Sequence, residues 1–229
     1  RDAYDLFLLF IDNPDKDAEV DYMNFHCFID TQEIHMSKEL FNHFILILVS
    51  VANNHHRQPG FFSKIERILI KYKDSIKQNN TNIEIYEQFE SNKRLLYFLI
   101  KEQILTIDQQ ITQLIENKNE LNGKKFSDFF LREIPKSDNE NDENISYYSE
   151  NLEEYDKKRE IGENDLYICS LIRQDSIEEF VEYLNRTNLS LFSKIKPSIF
   201  ETNSFLIDKE PTLIEYAAFF GSVQIFQYL

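Results

Sequence analysis

Four glycines and five prolines in 229 residues leave this chain little material for tight turns. Two-residue hairpins and phosphate-cradling loops both depend on glycine, because only glycine takes left-handed backbone angles without cost. A β-rich fold, a Rossmann domain and a P-loop enzyme are therefore disfavoured. What recurs instead is leucine and isoleucine at helical spacing among glutamate and lysine, and the expectation is an all-α protein. A hydrophobic content of 42%, with 20 Phe and 12 Tyr, is enough to core one large domain or two small ones.

The formal net charge of -15, with no basic stripe to offset it, argues against nucleic acid and against anionic lipid as partners. The longest apolar run, Phe44 to Ala52, falls short of the ~20 residues needed to span a bilayer. No membrane partner is expected. Cys27 and Cys169 lie far apart with no CxxC spacing, which reads as two buried thiols in a reducing, cytoplasmic setting.

Periodicity divides the first part of the chain into successive helices. Tyr4–Asp12 and Ala18–Asp30 flank the breaker Asn13-Pro14-Asp15, and Leu40, Phe41, Phe44, Ile45, Leu48, Val49 and Ala52 paint one face of a central core helix. A single long helix is expected from Phe61 to Ile76. Thr81-x-x-Glu84 and Thr106-x-x-Gln109 have capping-box form. Antiparallel helices with short connections describe a helical bundle or an α-solenoid over residues 1–135. Residues 136–156 carry eight acidic residues to one lysine, too polar to bury a core, and are expected to be a flexible connector that a protease cuts first between Lys136 and Glu150.

Beyond the connector, residues 157–229 read as degenerate helix-turn-helix repeats. Ser176-x-x-Glu179 introduces a helix with Phe180, Val181 and Leu184, and Thr212 with Glu215 forms a second capping box ahead of the small pair Ala217-Ala218. Gly221 permits the left-handed turn that ends that helix, and a last helix runs to Leu229. Aligning Leu184 with Leu229 gives a period of 45 residues, with the excess placed in Leu189–Glu210, since loops accept insertion and repeat interiors do not.

Thr212, Glu215, Ala217, Ala218, Gly221 and Leu229 together resemble an ankyrin repeat. Pro211 precedes the threonine instead of following it, and Glu215 stands where that family has histidine. The resemblance widens with Asn54-His-His-Arg57, Phe61-Phe-Ser-Lys-Ile-Glu66, Ser91-Asn-Lys-Arg-Leu95, Lys158-Arg-Glu-Ile-Gly-Glu-Asn-Asp165, Ile168 to Phe180 and Ser198-Ile-Phe-Glu-Thr-Asn203. These look like the landmarks of a large group of ankyrin-repeat proteins in parasitic protists, in which an uncharacterised helical region precedes the array. The resemblance implies a helical leader followed by the start of an ankyrin-type array. It also implies an excerpt of a longer protein, with further repeats after Leu229.

The function expected is recognition of a protein partner, with scaffolding and no catalysis or cofactor. Aromatics anchor interfaces, and Tyr216, Phe219 and Phe220 are the candidate partner-binding residues. If another repeat follows, Phe219, Phe220, Ile225 or Phe226 should include rings left partly bare. Two other readings stand beside this one. The first is a metal-dependent or acid-base helical domain centred on His55 and His56, disfavoured because neighbouring residues on a helix diverge by about 100° and no His-Glu-x-x-His signature exists. The second is a purely structural cap for an ankyrin array. Ser170 and Cys169 lie in no nucleophile signature, and the adjacent pairs Glu153-Glu154 and Glu178-Glu179 read as solvated faces.

Overall fold

A computed structural model describes residues 2–15, 18–55, 60–118, 126–134 and 152–229. Among these the protein is all-α, with no β-strand. The chain divides into two compact units, Arg1–Ile111 and Thr112–Leu229, so the division falls well before the acidic run.

In the first unit, α1 (Ala3–Asp12) and α2 (Glu19–Thr31) pack as a hairpin, and a 3-10 turn, Ile34–Met36, leads to α3 (Lys38–Asn54). The rings of Phe7, Phe25 and Phe44, with centroids 5.6 to 6.0 Å apart, join these three helices in one aromatic core. Next come α4 (Phe61–Lys71), α5 (Lys73–Asn79), α6 (Asn82–Phe89) and α7 (Lys93–Lys101). The single helix expected from Phe61 to Ile76 is broken at Tyr72, whose φ is -107°. The break lets the Tyr72 hydroxyl donate to Asp30 at 3.2 Å, a tertiary bond no local pattern announces.

Lys64 is 2% exposed, yet its ammonium donates to the carbonyls of Phe10 and Ile11, which close α1. Burial pushes its pKa down. The cation serves as the C-terminal cap of α1, where carbonyls are left without helical partners. Asn92 donates to Asn53, which donates to Ser91, and Arg94 pairs with Glu66 at 2.8 Å. These bonds tie the landmark segments Phe61–Glu66 and Ser91–Leu95 to one another and to the end of α3.

Two caps illustrate success and failure of local reading. Thr81 and Glu84 form the expected capping box. For α8 (Gln109–Asn117), Asp108 accepts the Ile111 N–H at 2.9 Å, while the Thr106 N–H goes to Asn82. Thr106 is therefore not the cap. Cys27 is exposed, contrary to the expected buried thiol, whereas Cys169 is buried.

Glu84 provides a pH-dependent lock. Its carboxylate accepts from Lys38 at 2.7 Å and from the Thr81 N–H at 2.7 Å, and these bonds, the Lys38 one foremost, hold its pKa down to about 2 from 4.5. A depressed folded-state pKa gives stability that is complete above the unfolded value and is lost as pH falls toward the folded one. Glu84→Ala is expected to melt below the parent at pH 7, through loss of the capping box. That gap should close as pH drops from about 4.5 toward about 2, followed by circular dichroism melts.

In the second unit a 3-10 turn, Phe126–Phe130, packs with α9 (Leu152–Ile161). The acidic run expected as a connector up to residue 156 is therefore helical from Leu152, and Tyr155 within it is buried. Then follow α10 (Tyr167–Arg173), α11 (Ile177–Thr187), α12 (Ser204–Lys209), α13 (Leu213–Phe220) and α14 (Val223–Tyr228). Helix α12 lies inside the stretch expected to be a loop insertion. Ser176 precedes α11 without a side-chain capping bond, and the Glu179 carboxylate accepts the Tyr167 hydroxyl at 3.1 Å.

Candidate interaction surface

The site grows out of two helix pairs, α10–α11 and α13–α14. First helix packs on first helix and second on second, around Ile168, Leu171, Ile172, Phe180, Leu213, Tyr216, Ala217 and Ile225. Neither pair buries its apolar face alone. The joint is made at the turns: Asp175, in the left-handed region at φ 50°, accepts the N–H groups of Gln224 and Ile225 at 3.0 Å each. Ser222 donates to the carbonyl of Ile172. No side chain of its own pair caps α14, so the turn of one pair supplies the N-cap of the next.

Each repeat-defining residue has a place in this geometry. Thr212 and Glu215 complete a capping box, with Glu215 accepting the Thr212 N–H at 2.8 Å, and that bond foremost lowers the Glu215 pKa. Gly221 sits at φ 68°, and Ser222 N–H reaches back to the Ala217 carbonyl at 2.9 Å. Ala217 is fully buried between the pairs, whereas Ala218 is exposed. Leu229 packs partly buried against the core.

The expected anchors divide. Tyr216 is 1% exposed, so the expectation that it stands on the surface is overturned. Its ring fills the space between α10 and α13, and its hydroxyl accepts from Arg173 at 2.8 Å. Burial raises its pKa well above 10. Phe219 and Phe220 are half-buried, in a run of rings in which Phe205 lies parallel to Phe219 at 6.1 Å and Phe220 meets Tyr216 at 4.8 Å. Phe205 is 43% exposed and Phe226 46%, while Ile225 is fully buried. Ile214, Ala218, Val223, Phe226 and Tyr228 are therefore bare positions of the second pair. Sequence reading missed Phe205, which lies in the supposed insertion, and Asp175, whose role needs a partner 49 residues away.

Behind this surface the landmark segments Lys158–Asp165 and Ser198–Asn203 close on each other. The Glu201 carboxylate, 3% exposed, accepts the backbone N–H groups of Thr202, Asn203 and Asn164. Thr202 donates to the Gly162 carbonyl, Asn164 to that of Lys196, and Ser198 to Asp165. Arg173 binds Glu163 at 2.8 Å and the Asn164 carbonyl at 2.9 Å. These polar side chains satisfy backbone groups that burial would otherwise orphan. Burial pushes the neighbouring Cys169 thiol up to about 12, far from a nucleophile's range.

His55 terminates α3, its ring stacked on Phe61 and its Nε2 3.3 Å from Asp12; His56 lies outside the described residues. Among the described residues no group of three His, Cys, Asp or Glu side chains is placed to hold a metal ion. Glu153 and Glu154 pair with Lys157 and Lys158 one turn on, as solvated helix faces do. No described helix is long and apolar enough to cross a membrane. No protein-family model matches the chain, and no curated protein or solved structure matches it either.

Proposed function

We propose that the C-terminal helix pairs are a protein-recognition module of ankyrin type, the opening of an array preceded by a helical leader, and that the chain acts by display without catalysis. The observation that carries this reading is the exchange at the turns, in which Asp175 of one pair caps α14 of the next. Such nearest-neighbour joints make stacked repeats rigid, and rigid faces bind at low entropic cost. Phe226, with Ile214 and Val223, supplies apolar area left bare on the second pair, where either a further repeat or a protein partner would bury it, while Phe219 and Phe220 are half-buried against the core between the pairs. The partner is a protein, since a chain of net charge -15 is repelled by nucleic acid and anionic lipid.

The test compares proteins retained by the immobilised full chain and by Phe226→Glu, with circular dichroism confirming that the variant is folded. A defined protein held by the parent and lost with the variant supports the reading. The same proteins held equally by both would overturn the assignment of this face.

A further inference from the structure

The loop between α11 and α12 carries an exposed pair, Leu191 at 38% and Phe192 at 89%. A phenyl ring so bare is costly in water, and nothing about this loop is loose. The Phe192 N–H donates to the Ser190 hydroxyl at 3.2 Å, and Ser193 N–H to the Ser190 carbonyl at 3.0 Å. On the far side the Ser193 carbonyl accepts from Leu213 at 3.2 Å, while Ile195 N–H donates to the Pro211 carbonyl at 2.7 Å. Backbone bonds thus hold the tip as a stiff finger.

The finger is also the wrong charge for its chain. From Tyr183 to Phe200 there is no acidic residue, while Arg186, Lys194 and Lys196 are all exposed. A surface of matching chemistry lies in the first unit, a cleft of about 480 Å³ lined by Leu8, Leu9 and Pro14 and edged by Asp5, Asp12 and Asp21. Leu9 is 40% exposed there.

We propose that the Leu191-Phe192 finger of one copy of this chain inserts into the Leu8–Leu9–Pro14 cleft of a second copy, with Lys194 and Lys196 set against Asp5 and Asp21. The two surfaces differ, so the contact is heterologous, and the pair as a whole keeps one free finger, on one copy, and one free cleft, on the other. Association through it grows with concentration and weakens with salt, as an interface edged by exposed charges must. This contact does not depend on the helix-pair face of the proposed function.

Sedimentation velocity of the full chain across about 5–200 µM tests it, with Phe192→Ser as the finger variant and Asp5→Lys with Leu9→Lys as the cleft variant. All of these positions are solvent-accessible, and circular dichroism verifies each fold. The parent should gain mass with concentration. Each variant alone should associate at least about tenfold more weakly, while the two mixed should form a one-to-one complex that grows no further, since one supplies the finger and the other the cleft. A parent that stays monomeric, variants that associate like the parent, or a mixture without the complex would each overturn the proposal. Association that survives Phe192→Ser and is lost with Phe226→Glu would reassign it to the helix-pair face.

Discussion

Cutting the backbone at a protease site inserted between Asn141 and Asp142 is expected to leave both fragments in one particle. Residues 126–134 and α9, on either side of that segment, are bound to one another. Arg159, 1% exposed, donates to the Phe129 carbonyl at 3.1 Å and to Glu133 at 2.7 Å, and Arg132 pairs with Asp156. Tyr155 donates to the Asp128 carbonyl, and the rings of Phe129 and Tyr155 both meet Phe200, at 6.5 and 5.5 Å. Each such aromatic contributes about 2–3 kcal/mol by burial, and together with the Arg159 bonds they oppose the roughly 4–15 kcal/mol of freedom that two separating fragments would regain. Gel filtration of the cut protein should give one peak. Arg159→Ala strips Glu133 and the Phe129 carbonyl of a buried charged donor, a loss of about 3–5 kcal/mol, and the cut variant should elute as two. Two peaks from the cut parent would restore the picture of a plain connector between domains.

Tyr216→Ala is expected to cost about 3–5 kcal/mol, the range for deleting a large buried ring. The ring fills the joint between α10 and α13, and its hydroxyl is one of three acceptors of Arg173. Tyr216→Phe keeps the ring and removes only that acceptor, and since Arg173 retains Glu163 and the Asn164 carbonyl, the loss should be about 1–1.5 kcal/mol. Urea unfolding of the three proteins separates the two contributions. Equal losses for Phe and Ala would show that the hydroxyl bond, not the packing, joins the helix pairs.

Tyr216 also shows why sequence reading could find the helix and still misplace which of its rings are exposed. Its neighbours Phe219 and Phe220 share its chemistry and its helix, and which of three aromatics faces inward depends on how α13 is turned against α10. Local pattern gives the existence of the helix; the angle at which it docks is a property of the pair. Phe205 is a sharper case. It lies in a stretch with no repeat signature, and only the fold sets its ring parallel to Phe219.

The sequence by itself determined what three or four consecutive residues can decide. Scarce glycine and proline gave an all-α chain. The capping boxes at Thr81–Glu84 and Thr212–Glu215 and the left-handed turn at Gly221 form where expected, because donor, acceptor and backbone angle lie within one helical turn. Only the tertiary structure decided the rest. Lys64 reaches Phe10 across 54 residues, Arg159 reaches Phe129 across 30, and Asp175 reaches Ile225 across 50. A charged residue reads as solvated wherever its partner is remote, and burial becomes tolerable only when the fold delivers that partner, so the polar joints of this protein had no local signature to read.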